Sequence, residues 1–337
     1  MNIPKNLTDK INSIPEKPGI YQMKDSKGNI IYIGKSKCLK KRVRSYFYTN
    51  PDFSKIKQMV SNIHDIDYIV TDTHLEAQLL ECSLIKKLKP IYNSQYKNDK
   101  KYIYLIVEDY NRFNPLSISL ERKNEYSFGP YRSRSIVMNL VELFKRLYPI
   151  KKGLESYEFT YRPIPLDMGK DDFLKNRECL LEIISQEGYL ENFILTIKTK
   201  MEEASSFLKF ERASYYRDFL SALKYLYNFN KIHFTKNRRI LMGEKLNDGY
   251  KLFYIIDGNL IWEKKTSRIN ISYLESLLFQ IEKLKNFDNI YIDEKSALDF
   301  KTIINRELKN NPSIITQSID KDVDLELLMD FLQRLKV

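Results

Sequence analysis

Cysteine is scarce in this 337-residue chain. Its three cysteines, Cys38, Cys82 and Cys179, are scattered. They make neither a disulfide framework nor a paired metal motif, and they read as small buried or incidental residues. Glycine is scarce too, with ten residues. No Gly-rich phosphate loop occurs, which leaves a nucleotide-hydrolysing role without support. No run of about 18 apolar residues is present, so no membrane-spanning helix is expected. Met1 to Pro15 mixes Lys, Asn and Asp and lacks an apolar signal core, so a cytoplasmic location is expected. His64 and His74 are ten apart, with no Cys or second His at ligand spacing. They read as surface or core histidines.

What the chain does have is cations and aromatic rings. There are 56 Lys and Arg against 44 Asp and Glu, a net charge of +12, which suits a polyanionic partner. With 43% hydrophobic residues, 18 Phe and 24 Tyr, the chain can fill real cores, and its length allows two or three domains. Lys35, Lys37, Lys40, Lys41, Arg42 and Arg44 crowd into ten residues just ahead of Tyr46, Phe47 and Tyr48. Lys97, Lys100 and Lys101 interleave with Tyr96, Tyr102 and Tyr104. Cations contact phosphate and rings stack on exposed bases, although a solvated face over buried aromatics has the same composition.

Residues Pro18 to Phe47 organise the rest. Two apolar runs, Ile20 to Met23 and Ile30 to Ile33, flank Asp25-Ser26-Lys27-Gly28-Asn29, a hairpin signal. After Gly34 the pattern turns helical, with Leu39 and Val43 at i, i+4. A helix starting near Lys35 would carry Lys35, Arg42 and Tyr46 on one face. Asp67 to Thr71 reads as a third strand. Asp72 or Thr73 can then cap a helix over about His74 to Lys89, with Glu76 in its first turn. On a helical wheel Glu81 shares a face with Ala77, Leu84, Ile85 and Leu88, while Glu76, Lys86 and Lys87 take the charged side. A carboxylate inside an apolar stripe is costly unless paired or metal-bound. It either sits at the edge, pairs with an Arg, or holds a metal.

Further along, strands are expected at Tyr102 to Val107 and Leu116 to Glu121. Phe128-Gly129-Pro130-Tyr131 reads as a turn, and Met138 to Leu147 as an amphipathic helix. Residues 151–190 read as a linker region. Residues 191–228 are strongly helical, as one long helix or a hairpin, with Ile194, Ile197, Met201, Ala204 and Leu208 stepping by three or four. In 229–337, Leu252 to Ile256 and Leu260 to Lys264 flank Asp257-Gly258-Asn259, another hairpin signal. A helix over about Tyr273 to Phe287, a strand at Asn289 to Ile292, and helices near Ala297 to Leu308 and Leu325 to Leu335 follow. The fold class expected is α+β and multidomain, ending in a small α/β domain.

Gly19-Ile20-Tyr21 and Tyr32-Ile33-Gly34, with Arg42 and Tyr46, resemble the GIY-YIG nuclease signature. Leu79-Leu80-Glu81, Leu84-Ile85-Lys86 and Pro90-Ile91-Tyr92-Asn93 are similar to the segment that carries the metal-binding glutamate and a site asparagine in the excinuclease UvrC and its shorter relative Cho. Arg122 and the Phe-Gly-Pro-Tyr segment resemble the same family. Met201 to Leu226 resembles its UVR motif, a helical hairpin that binds UvrB, with Phe210, Glu211, Ala213, Arg217 and Asp218 matching the pattern.

The resemblance implies a GIY-YIG nuclease domain over 1–98, an associated extension over 99–150 and a UVR-like hairpin over 191–228. It implies a metal-dependent DNA endonuclease that makes one incision 3′ to a lesion in damaged duplex DNA, recruited by UvrB. Glu81 would hold a single Mg²⁺ or Mn²⁺, Arg42 the scissile phosphate, and Tyr32 the proton of the attacking water. Tyr21, Tyr46, Lys35 and Asn93 would complete the catalytic set. Lys37, Lys40, Lys41, Arg44, Lys97, Lys100 and Lys101 are the DNA-contact candidates. The four cysteines the family usually carries in the linker are missing, so no iron–sulfur cluster is expected. No acidic constellation of the family's ribonuclease-H-like nuclease is visible in 229–337, whose role stays open. The rival functions are a UvrB-independent structure-specific or mobile-element nuclease of the same fold, and a non-catalytic DNA-binding adaptor that occupies UvrB.

Overall fold

The computed structural model describes residues 5–48, 54–97, 102–111, 113–147, 150–153, 156–164, 168–233, 239–283, 293–319 and 324–336. It divides into two compact units. One combines residues 1–98 with 236–337, and the other spans 99–235. The N- and C-terminal thirds therefore fold together, whereas the sequence suggests separate domains.

In the first unit, β1 (Gly19–Lys24) sits between β2 (Ile30–Ser36) and β3 (Asp65–Val70), all antiparallel. The β1–β2 turn closes because Asp25 Oδ1 accepts from the Lys27 and Asn29 amides, both at 2.9 Å, and Gly28 takes a positive φ of 80°. Alternation along the strands gives two faces, and a bulge in the ladder between Met23 and Lys24 turns Ile31 to the face opposite Ile33. One carries Tyr21, Met23, Ile31 and Ile66 against α1 (Lys5–Ser13), α2 (Leu39–Tyr48) and α3 (Ser54–Ser61). The other carries Ile20 and Ile33 against Ala77 and Ile85 of α4 (His74–Leu88). Thr73 and Glu76 form a capping box at the start of α4, which fixes its first turn. Lys35 lies on β2, not on the first turn of α2. It reaches the site from a strand end, and only Arg42 and Tyr46 share the helix.

The C-terminal part is a four-stranded antiparallel sheet in the order β11-β10-β9-β12, from β9 (Arg239–Leu246), β10 (Gly249–Ile256), β11 (Asn259–Thr266) and β12 (Ile314–Ser318). Asp257 and Gly258 turn the β10–β11 hairpin with φ of 51° and 75°, as its Asp-Gly signal requires. One face packs on α9 (Ile271–Lys283) and α11 (Leu325–Lys336). The other packs on α10 (Glu294–Asn310) and on α4 of the N-terminal part. β9 and β12 are additions to the sequence reading. Gly243 interrupts the strand pattern of β9, because a Cβ there would meet Leu335 and Phe331 at 2.9 Å. The strand expected at 289–292 lies outside the described residues.

In the second unit, β4 (Ile103–Val107) pairs with β5 (Leu116–Ser119) and β6 (Ser127–Tyr131). The Phe-Gly-Pro-Tyr segment is thus a strand, with a cis Gly129–Pro130 bond, and not only a turn. α5 (Arg134–Phe144) follows. The expected linker is largely built structure: β7 (Lys151–Lys152), β8 (Tyr157–Glu158) and α6 (Lys170–Ser185), which buries Phe173, Leu180, Ile183 and Ile184. Its prolines and glycines flank the helix, and the i, i+3, i+4 stripe begins after them. α7 (Glu187–Ser206) and α8 (Phe210–His233) form an antiparallel hairpin. No glycine marks its turn. Leu208 takes the left-handed conformation instead, at φ 57°, and the Lys209 amide bonds the Ala204 carbonyl at 2.8 Å.

Candidate active site

Both signature glycines are required by close approach. A Cβ on Gly19 would lie 2.2 Å from the Ile69 carbonyl oxygen on β3. A Cβ on Gly34 would lie 2.2 Å from the Tyr21 hydroxyl. Tyr21 and Gly34 are cross-strand partners, so the absent side chain is the space that the phenol fills.

Three tyrosines converge there. The Tyr21 and Tyr46 hydroxyls are 2.8 Å apart, and the Tyr46 hydroxyl donates to that of Tyr32 at 3.5 Å. The ring centroids are 5.9 to 6.2 Å from one another. Arg42, one helical turn before Tyr46, donates to the Tyr46 hydroxyl at 3.3 Å, its guanidinium carbon 4.9 Å from the ring centroid. With its own proton aimed at Tyr32, Tyr46 accepts from Tyr21 and Arg42. This fixes one direction around the cluster.

Glu81 Oε1 accepts the Lys35 backbone N–H at 3.1 Å. That bond ties the middle of α4 to the end of β2 and places the carboxylate beside the tyrosines. Asn93 is buried, and both ends of its amide are taken by one residue. Its Oδ1 accepts the Ile33 N–H at 2.9 Å, and its Nδ2 donates to the Ile33 carbonyl at 2.8 Å. In this chain Asn93 fastens the Tyr-Ile-Gly strand between Tyr32 and Gly34.

Burial pushes the Glu81 carboxyl above the usual range, opposed by the charges of Lys35, Arg306 and Arg42. Burial lowers Lys35, partly offset by Glu81. Burial and the neighbouring phenols push Tyr21 and Tyr32 well up, with Arg42 pulling both back. Tyr32 is therefore a neutral phenol at pH 7 in the free chain. Among the described residues, no group of three or more His, Cys, Asp or Glu gathers to hold a metal. A lone, half-buried carboxylate suits a hard cation that keeps several waters.

The other sequence-marked cations are more dispersed. Lys37 and Lys41 are exposed, and Lys40 is half-buried. Arg44 donates to Asn12 Oδ1 at 2.6 Å, and Lys97 to the Ile91 carbonyl at 3.2 Å. Lys100 and Lys101 lie outside the described residues. In the second unit, Phe210 is 65% exposed at the start of α8, Glu211 is exposed, Ala213 is half-buried, and exposed Arg217 pairs with Asp218 at 3.0 Å. Phe207 and Leu208 add two more exposed apolar side chains at that turn.

A second group around α4 has no sequence motif. Gln78, one turn before Glu81, is buried. Its Nε2 donates to Glu307 of α10, and its Oε1 accepts from Arg306 Nη2 at 3.0 Å. His74 Nδ1 lies 3.3 Å from Glu307 Oε1. Lys86 pairs with Asp299 at 2.9 Å, and Glu76 with Lys251 at 2.6 Å. The charged side of α4 thus faces the C-terminal part. A polar Gln in a stripe otherwise made of Leu75, Leu79 and Cys82 is the one signal that could have marked it.

Residues 17–94 match the family described as the UvrC-like GIY-YIG domain, and residues 191–226 that of the UvrB/uvrC motif. UvrABC system protein C of Caldanaerobacter subterraneus subsp. tengcongensis is 32% identical over 98% of this chain and 54% of the relative. That of Clostridium acetobutylicum is 37% identical over 73% of this chain and 41% of the relative. The chain thus spans about half the length of the curated relatives it matches. The first alignment also reaches the C-terminal sheet, where the sequence shows only a faint likeness. The GIY-YIG N-terminal endonuclease domain of UvrC from Thermotoga maritima, solved with its catalytic divalent cation magnesium, is 39% identical. It covers 27% of this chain and 100% of its own, with a TM-score of 0.25. Among the described residues no helix is long and apolar enough to cross a membrane. Residues 17–94 are accordingly a GIY-YIG endonuclease domain of the UvrC kind, joined in one chain to a UvrB/uvrC motif at 191–226.

Proposed function

We propose that the chain is a metal-dependent DNA endonuclease that makes one incision 3′ to a lesion in nucleotide excision repair, after UvrB recruits it. The observation that carries this reading is the convergence of Tyr21, Tyr32, Tyr46 and Arg42 beside a half-buried Glu81. Glu81 would hold a single Mg²⁺ or Mn²⁺. When bound, the ion polarises the phosphate and stabilises the leaving oxygen.

The chain's own residues do the rest. Arg42 binds the scissile phosphate and stabilises the charge that builds on it. Tyr46 holds Arg42 and points its proton at Tyr32. Arg42 favours the Tyr32 phenolate against burial and the neighbouring phenols, and the charge of Lys35 would add to it. Tyr32 then accepts the proton of the attacking water. Tyr21 locks Tyr46 in place, and Asn93 holds the strand that carries Tyr32. Lys37, Lys40, Lys41, Arg44, Lys97, Lys100 and Lys101 contact DNA phosphates. In the second unit, the exposed tip and outer face of the α7–α8 hairpin offer Phe210, Glu211, Ala213, Arg217 and Asp218 to UvrB. An exposed apolar tip on a helical hairpin is the kind of surface a second helical pair covers.

The test is strand-resolved incision of a duplex bearing one bulky lesion, with Mg²⁺ or Mn²⁺, with and without UvrB. Wild-type and Glu81→Gln proteins are compared. One UvrB-dependent 3′ cut, lost in the variant, is expected. Cutting indifferent to UvrB and lesion would mean an independent nuclease. A stable UvrB complex without cutting would mean an adaptor.

A further inference from the structure

The C-terminal third sends one cation to the nuclease site. Arg306 stands on α10, the helix that packs on α4. It is exposed to solvent, yet its Nη2 donates to Oε1 of the buried Gln78 at 3.0 Å. Gln78 and Glu81 are three residues apart on α4, so they sit on adjoining turns of one side. Glu81 in turn touches the end of β2 through the Lys35 amide at 3.1 Å. Arg306, Glu81 and Lys35 therefore border one another.

The partner chosen for this arginine is informative. Glu307, the next residue, is the nearest carboxylate along α10, yet no ion pair joins it to Arg306 among the described residues. Instead Glu307 is occupied by Gln78 Nε2 and by His74 Nδ1, the latter at 3.3 Å. Gln78 uses its two ends differently. The nitrogen end ties down the carboxylate, and the oxygen end steadies the guanidinium. A neutral amide orients Arg306 without cancelling its charge. Among the described residues no carboxylate forms an ion pair with it, and one hydrogen bond leaves four of the five guanidinium N–H donors for another ligand. Its charge is felt at Lys35, where it adds to the effect of burial in weakening the hold on the proton. Two cations side by side cost the free chain energy, which an anion between them would offset. A guanidinium fork held by a neutral group, exposed and beside a second cation, fits a phosphate.

We propose that Arg306 is a phosphate-binding residue of the nuclease site, contributed by the C-terminal part of the chain and aimed by Gln78. It would grip a phosphate of the DNA backbone on the α10 side of Glu81, while Arg42 grips from the tyrosine side. This rests on the nuclease reading above, so binding and cutting are measured separately.

The experiment follows binding of a lesion-bearing duplex to the full chain by fluorescence anisotropy, without divalent metal, between 50 and 200 mM salt. Each phosphate contact adds close to one unit to the slope of log K against log salt. Arg306→Gln is expected to lower that slope by about one and to weaken binding roughly tenfold. Gln78→Glu is expected to do the same, because a carboxylate there would neutralise the guanidinium. Arg306→Lys should keep the slope and lose part of the affinity, since the charge remains without the fork. Arg334→Gln, on α11, is the charge-matched control and should leave the slope as it was. Circular dichroism and thermal melts establish that each variant is folded. A folded Arg306→Gln protein with unchanged slope and affinity would overturn the proposal. So would an equal loss in Arg334→Gln, which would mean net charge alone. If the wild-type chain binds as expected but does not cut with Mg²⁺, the nuclease reading fails while the phosphate contact stands.

Discussion

The two sides of α4 are built on different principles. Toward β1 and β2 the contact is apolar: Ala77 and Ile85 against Ile20 and Ile33. Toward α10 and the C-terminal sheet, Leu75, Leu79 and Cys82 join an apolar cluster that is ringed by polar links. These are Lys86 to Asp299, Glu76 to Lys251, and Gln78 to Arg306 and Glu307. An apolar face stabilises by the area it removes from water, and that term is indifferent to small slides. Hydrogen bonds and buried ion pairs have narrow geometry and are costly when broken. The first side thus supplies stability, and the second fixes where the helix lies. Glu81 stands between them, held to β2 by one backbone bond. Its carboxylate is located by both sides at once.

The largest change should come from the residue at the boundary. Glu81→Gln is expected to reduce single-turnover incision by about 10³-fold or more, the scale of losing a main charge stabiliser. The same substitution should raise stability. Burial lifts the folded-state pKa of Glu81 above its unfolded value, so ionising it at neutral pH costs folding free energy. Gln keeps the acceptor for Lys35 and removes the charge. The melting temperature of the metal-free variant should rise, by about 1 kcal/mol of stability. An unchanged or lower melting temperature would show that Glu81 is not strained by its surroundings.

The polar side is tested by Asp299→Ala, which removes the carboxylate 2.9 Å from the Lys86 ammonium, the two side chains being 2% and 13% exposed. A loss of about 3 kcal/mol is expected in denaturant unfolding. The double variant Asp299→Leu with Lys86→Met should recover most of it, which would separate the ion pair from mere packing. On the other side of the sheet, Gly34→Ala should cost about 10² in turnover, because the new methyl displaces the Tyr21 phenol by more than the site can absorb. A variant with normal turnover would sink the idea that Tyr21 is positioned by that gap.

The smallest effect is one of pH. Burial holds His74 below its ordinary value, opposed by Glu307. The unfolded chain therefore binds the proton more readily, and the contribution of His74 is present above about pH 6.5, its unfolded value, and lost as pH falls below it. Stability should dip there by under about 1 kcal/mol, and His74→Gln should flatten the dip in melts across pH 5 to 8.

Much of the first side was legible in the sequence. The Gly-Ile-Tyr and Tyr-Ile-Gly triplets, the Gly28-Asn29 turn and the Thr73–Glu76 cap are local signals, and each has a local cause in the structure. Glu81 stood out because a carboxylate within an apolar stripe needs a reason. The second side was not legible. Lys86 and Glu76 look like a solvated face until Asp299 and Lys251, far along the chain, come to meet them. No period in the sequence reports a partner so distant. Lys35 was misplaced for a related reason. The chain from Gly34 to Leu39 has no strong period, and the cross-strand pairs Gly19 with Ser36 and Ile20 with Lys35 extend β2 past the point where helix signals begin.

The discontinuous first unit sets a timetable for synthesis. Its residues 1–98 emerge before 99–235, and the C-terminal sheet comes last. At about 5–20 residues per second, the outer side of α4 waits on the order of ten seconds on the ribosome before α10 exists to cover it. During that time Leu75, Leu79 and Cys82 face water while the hairpin and its tyrosines already have their local contacts. A nascent chain stalled after residue 235 should therefore display a sticky α4, and a chaperone that reads exposed leucines would find it there.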